Sequence, residues 1–179
     1  MSSAFAQQNL GYFYTELKGG LLLFPTKNDS IRYKTGFTGS GELCYVYKDF
    51  RFSFELIYCQ AKSKDYVKTI IDLGDITGVK RESLSGLVNL YYDYSLTDNF
   101  NLYAGTGLGL AKTKGKAFLH TGSVLSSDPC TKLAYQLMAG ISYNINDCWT
   151  IKTGYRFFNI KHKHFPHMHV IEAGIRYNF

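Results

Sequence analysis

Proline and tryptophan are scarce in this chain of 179 residues, with three Pro and one Trp. Long hydrophobic runs are missing as well. A spanning helix needs ~18–20 uninterrupted apolar residues, and the longest such stretch, Gly19 to Phe24, is cut by Pro25. A bundle of membrane helices is excluded. Charged residues make up only 19% while aromatics reach 16%, which excludes wholesale disorder. The four cysteines, Cys44, Cys59, Cys130 and Cys148, show no CxxC and no Cys/His ligand spacing, so neither a metal nor a cofactor is expected. Two disulfides are possible by number, but the strand map below keeps the four apart. The basic start and apolar stretch of a signal peptide are absent, although Ala4-Phe5-Ala6 has the small-x-small spacing of a cleavage site.

What is abundant is Tyr, Phe and Gly, at 15, 13 and 17 residues. Tyr and Phe favour strands, and so many glycines disfavour long helices, so the composition points to an all-β chain. The informative period is two, and it recurs in eight segments of about ten residues. From Leu133 to Ile145 every odd position is apolar or aromatic, against Ala134, Gln136, Met138, Gly140, Ser142 and Asn144. The same alternation runs through Phe13–Leu23, Phe37–Tyr47, Phe52–Tyr58, Leu84–Tyr94, Trp149–Phe158 and Ile171–Phe179. In the less regular Leu102–Ala111, Leu102, Ala104, Leu108 and Leu110 are assigned to the apolar face and Gly105, Gly107 and Gly109 to the other. Short turns fall at Lys48-Asp49, Thr97-Asp98-Asn99 and Asn146-Asp147. Longer connections lie near Phe24–Lys34, Ala61–Glu82, Lys112–Lys132 and Asn159–His169, and three of them hold the three prolines, which cannot donate within a ladder. Eight strands with short turns at one end and long connections at the other predict an antiparallel up-and-down β-barrel.

A soluble barrel turns its apolar face inward; a membrane barrel turns it to lipid. Aromatics at the segment ends of the apolar face (Tyr45, Tyr47, Tyr92, Tyr94, Tyr143, Trp149, Tyr177, Phe179) favour the membrane arrangement, as interfacial girdles require. The opposite face carries five acids, Glu16, Glu42, Glu55, Asp93 and Glu172, and five bases, Lys18, Arg51, Lys152, Arg156 and Arg176. Charges withdrawn from water need such balance, and all ten fall near the short-turn ends of their strands. They are expected to form an ion-pair network that plugs that half of the lumen. A turn centred between Lys48 and Asp49 sets Glu42 opposite Glu55, a repulsive pair unless Lys18 or Arg156 reaches both.

Leu90-Tyr-Tyr-Asp-Tyr through Leu102-Tyr-Ala-Gly-Thr-Gly-Leu-Gly-Leu-Ala111 is similar to the "YYDF … YVGAGIGVA" stretch of the opacity-type outer-membrane proteins and the rickettsial surface-antigen family. Leu133-Ala-Tyr-Gln-Leu-Met-Ala-Gly-Ile-Ser-Tyr-Asn-Ile145 resembles its "FAYQLMAGVSYDI", Gly154-Tyr-Arg-Phe-Phe158 its "GYRYF", and Ile171–Phe179 its terminal "ELGLRYRF". The short loops and the four cysteines depart from the family pattern. The resemblance implies an eight-stranded transmembrane β-barrel over residues 11–179, with residues 1–10 a signal-peptide remnant or periplasmic tail. It also implies placement in a Gram-negative outer membrane by the barrel assembly machinery, which reads the final aromatic, Phe179.

The chain is basic, with a net charge of +6, and the excess is uneven. The four longer connections hold fourteen of the twenty Lys and Arg and six of the fourteen acids. Lys112, Lys114 and Lys116 sit where the third connection leaves its strand, and are candidates to contact lipopolysaccharide phosphates or an anionic host surface; solubilising the loops is the alternative. Basic residues spread over four connections do not form the single groove of a nucleic-acid binder. His162, His164, His167 and His169 surround Pro166 without a carboxylate or Cys in the same loop. His120-Thr-Gly-Ser123 is the nearest His/Ser neighbourhood, with no third partner to orient the histidine. The leading expectation is a non-enzymatic surface protein: adhesin, antigen or structural barrel. A small-solute porin and a lipid-modifying barrel enzyme remain the alternatives.

Overall fold

The computed structural model describes residues 11–24, 35–63, 76–119, 124–126, 128–161 and 167–179. Its elements are β1 (Tyr12–Leu23), β2 (Gly36–Tyr47), β3 (Phe50–Ser63), β4 (Ile76–Ser95), β5 (Phe100–Leu119), β6 (Val124–Ser126), β7 (Cys130–Asn144), β8 (Trp149–Ile160) and β9 (Met168–Asn178). Every pairing is antiparallel. The ladder runs β4-β3-β2-β1-β9-β8-β7-β5, and the β4–β5 pairing closes it. The closed barrel therefore has the eight strands expected, while the three-residue β6 pairs only with β5. No described helix is long and apolar enough to cross a membrane.

The turns follow from their side chains. Lys48 adopts a φ of 55° between paired Tyr47 and Phe50. Thr97 Oγ1 accepts from the Phe100 amide at 3.1 Å. Asn146 Oδ1 accepts from the amides of Cys148 and Trp149 at 3.0 and 2.8 Å, the Asx arrangement that closes tight turns.

Alternation sorts the two faces as the polarity argument requires. Leu17 and Leu137 are 67% and 54% exposed, Tyr155 and Ile175 stand out with them, and Glu16 is 1% exposed. The outer wall is thus an apolar band whose aromatics pair near the short turns, Phe50 with Tyr92, Phe100 with Tyr143 and Trp149 with Tyr177. Leu102, Ala104, Leu108 and Leu110 face outward on β5.

Strand ends differ from the sequence reading. The hairpin of β4 and β5 is far longer than expected: Leu84 still pairs with Lys112, Glu82 with Lys114 and Lys80 with Lys116. The apolar period stops there because both faces have become polar, but the backbone ladder needs no apolar residues to continue. The second and third connections are correspondingly shorter. Cys44 and Cys59 are buried on the inner wall, Cys148 lies in a short turn and Cys130 opens β7 at the other end; all four are free thiols.

Candidate functional site

Three glutamates share one row of the inner wall, because Glu42 is opposite both Glu16 and Glu55. Like charges so aligned repel. Lys18, on the same face of β1, meets all three: its Nζ lies 2.5 Å from Glu42 Oε2, 2.9 Å from Glu55 Oε1 and 3.8 Å from Glu16 Oε1. Lys152 Nζ donates to both Glu16 oxygens at 2.9 Å, and Arg176 Nε is 3.8 Å from the same carboxylate. Arg156 Nη2 donates to Glu55 Oε1 at 2.8 Å and pairs with Glu172 Oε2 at 2.9 Å. Eight of the ten expected residues thus form one connected chain. Arg51 and Asp93 pair separately, Nη1 to Oδ2, at 3.3 Å, with Asp93 partly exposed at the short-turn end.

Neutral side chains complete the network. Asn89 and Gln136 donate to Glu55 Oε2 at 3.0 and 2.9 Å, and Gln136 also donates to Asn89 Oδ1 at 2.7 Å. Arg156 Nη1 donates to Gln136 Oε1 at 2.9 Å, and the Ser53 hydroxyl donates to Glu42. Glu55 therefore receives donors from Lys18, Arg156, Asn89 and Gln136, which is what a carboxylate with no exposed surface requires. Glycine makes room for this layer. A methyl group on Gly107 of β5 would collide with Asn89 Oδ1 and the Gln136 stem, so a side chain at 107 is incompatible with the amide pair.

Two further layers flank this one. Toward the short turns, Arg51 lies 4.0 Å from the Tyr91 ring centre, Lys152 lies 4.3 Å from Tyr103, and Arg176 lies 4.1 Å from Tyr14. Cations over aromatic faces are stabilised when desolvated. The signal was available: Tyr14 shares the parity of Glu16 and Lys18, Tyr91 that of Asp93, and Tyr103 that of the inward glycines of β5. Toward the long connections the lumen becomes apolar, filled by Leu22, Ile57, Leu87, Phe158, Ile160 and Met168 among others. Alternation hid that layer, since apolar residues there occupy both faces of each strand. The whole is a packed interior of paired charges, amides and apolar side chains. No histidine among the described residues faces this interior, so the buried Ser53, Ser83 and Ser85 have no imidazole base beside them.

Lys112, Lys114 and Lys116 are strand residues, not loop residues, which corrects their expected setting. They project outward from β5 in the same row as Leu108 and Leu110. His169 Nδ1 is hydrogen-bonded to the Tyr155 hydroxyl and its ring meets Phe157, while His167 is exposed. His162, His164 and the His120–Ser123 stretch lie outside the described residues, as do residues 1–10. Among the described residues no group of three His, Cys, Asp or Glu is placed to hold a metal.

Residues 1–179 match the family model described as "Outer membrane protein beta-barrel domain". The "56 kDa type-specific antigen" of Orientia tsutsugamushi is 34% identical over 100 residues, covering 51% of this chain and 17% of the antigen. The chain thus spans about a sixth of the length of that relative. A candidate adhesin of Rickettsia bellii is 26% identical over 165 residues, covering 82% of this chain and 72% of the adhesin. Among solved structures, Neisserial surface protein A has the same fold, with a TM-score of 0.63 at 18% identity, over 94% of this chain and 97% of the other.

Proposed function

The chain belongs to the outer membrane protein β-barrel domain family, and from that premise we propose that it acts as a surface-displayed, non-conducting barrel that presents basic connections to the outside for adhesion. It resides in the outer membrane, and its relatives are surface antigens, adhesins and outer-membrane barrels rather than enzymes. In such barrels the short turns face the periplasm and the long connections the exterior. That orientation turns the excess of Lys and Arg outward. The partner this favours is an anionic surface, lipopolysaccharide or a host polysaccharide, with Lys112, Lys114 and Lys116 among the proposed contacts.

The observation that carries the non-conducting half of the reading is the filled lumen. From the short-turn end to the other, Arg51, Glu55, Gln136, Leu87 and Ile160 have no exposed surface. A bore that admits no water at these levels passes no solute, which argues against a porin. The adhesive half is supported by sequence kinship with the adhesin and the antigens. Displaying the full chain on a non-adherent Gram-negative host tests that half: cell binding above the empty-vector level supports it, and binding at that level refutes it. Planar-bilayer recordings test the closed lumen. The refolded barrel is expected to give no open-channel steps, and a regular single-channel conductance would contradict the reading.

A further inference from the structure

Two histidines at the long-connection end of β9 belong neither to the lumen nor to the basic hairpin. His167 immediately precedes β9 and His169 is its second residue, while Met168 between them is buried. Alternation therefore turns both imidazoles to the outer wall. Their ring contacts agree, since each lies 5.6 Å from the ring of Phe157 on β8. At ~3.3 Å per residue and a ~40° tilt, Tyr177 to His167 climbs about 25 Å, the height of a barrel's apolar band. The pair thus stands at the upper edge of that band, with His167 exposed and His169 half-buried.

His169 is oriented by its neighbours. Its Nδ1 is hydrogen-bonded to the Tyr155 hydroxyl, and its ring lies 5.9 Å from the Tyr155 ring and edge-on to Phe157. An Nδ1–H that donates to the phenolic oxygen leaves the lone pair on Nε2. Metal-bound histidines divide their nitrogens in this way, one ligating while the other is fixed by a hydrogen bond. The ladder partners of His169 are Leu23 and Phe157, so neither neighbouring strand sets a cation opposite the imidazole. Alternate residues of an extended chain are about 6.6 Å apart. Two imidazoles leaving one face at that spacing can converge on a single ion, at ~2.0–2.1 Å from each nitrogen.

We propose that His167 and His169 form a two-imidazole site for a divalent transition-metal ion, with Tyr155 as the residue that positions His169. The donor set decides the class of ion. Imidazole suits zinc, copper and nickel, whereas magnesium, calcium and manganese are suited by oxygen ligands. Among the described residues no third His, Cys, Asp or Glu joins the pair, which distinguishes this chelate from a closed structural centre. Two nitrogens leave coordination positions to water or to a donor brought by another molecule, so the ion is exchangeable and is held at the outer rim of the barrel. The proposal rests on the outer-wall orientation above but not on adhesion.

Electron paramagnetic resonance of bound copper(II) tests it. The full chain and its H167A/H169A, H120A/H162A/H164A and Y155F variants are refolded into phosphatidylcholine vesicles and titrated with copper(II), with heat-modifiable gel mobility confirming that each is folded. The wild type is expected to bind one ion with the hyperfine pattern of two imidazole nitrogens. H167A/H169A is expected to lose that pattern and H120A/H162A/H164A to keep it. Y155F is expected to keep both nitrogens while binding about ten-fold more weakly, a split that a merely structural tyrosine would not produce. Excess zinc(II) is expected to displace the copper, and magnesium(II) to leave it in place. No two-nitrogen signal in the wild type, a signal that survives H167A/H169A, one that vanishes in H120A/H162A/H164A, or one displaced by magnesium(II) overturns the proposal and leaves the barrel reading standing. Unchanged affinity in Y155F overturns the role given to Tyr155. A wild-type chain without heat-modifiable mobility counts against the barrel reading itself.

Discussion

Lys18 is the residue on which the lumen turns, because its single ammonium group lies between three carboxylates that the strand registers force into one row. Removing one partner of a buried ionic set leaves charge without compensation and costs about 3–5 kcal/mol. Lys18→Met is therefore expected to lower the unfolding free energy of the refolded barrel in vesicles by that amount, read as a lower urea midpoint. Adding Glu42→Gln should recover part of the loss, because Glu42 is the carboxylate of the row that Lys18 alone pairs, while Glu55 keeps Arg156 and Glu16 keeps Lys152; an unchanged midpoint in Lys18→Met would contradict the role given to it. Gly107→Ala tests the neighbouring amide layer. Its new methyl group meets Asn89 Oδ1 and the Gln136 stem, so a loss of about 1–3 kcal/mol is expected from overpacking in the same urea titration. These pairings were only partly legible from the sequence. The Glu42/Glu55 opposition followed from locating one turn, whereas Glu16 joined the row only once the β1–β2 register was known. A register between strands separated by a long connection leaves no local mark.

At the scale of elements, the faces of the strands were legible and their ends were not. Alternation assigned Leu137, Tyr155 and Ile175 to one wall and Glu16 and Arg176 to the other, because a two-sided environment imposes a period of two on every strand that crosses it. Beyond the apolar band that constraint ends. Thr113, Lys114, Gly115 and Lys116 read as loop, yet they sit in ladder with β4. The three-residue β6 is too short to carry any period. The extended hairpin has a direct consequence: amides of Lys112–Lys116 that bond to neighbouring strands should exchange slowly with deuterium, and trypsin added to intact vesicles should leave the bonds after Lys112 and Lys114 uncut. Fast exchange and ready cleavage there would mean that β5 stops near Ala111.

For the molecule as a whole, the interior has three chemistries stacked along one axis: cations on tyrosines, an ionic and amide layer, and an apolar layer. All of it presupposes that the outer wall meets lipid. Trp149, the chain's one tryptophan, stands in the aromatic ring near the short turns, its ring 4.9 Å from Tyr177. Leu137 lies nearer the middle of the outer wall, across the ladder from Phe157 and Thr106. Quenching of tryptophan fluorescence by lipids brominated at defined depths tests this placement most directly. Trp149 should be quenched best by bromines near the headgroups, and a tryptophan placed by Leu137→Trp in a Trp149→Phe background should be quenched best by bromines deep in the acyl chains. A Leu137→Trp signal that is insensitive to brominated lipid and is quenched by aqueous iodide would contradict the inverted polarity on which the barrel, its interior and its surface role all depend.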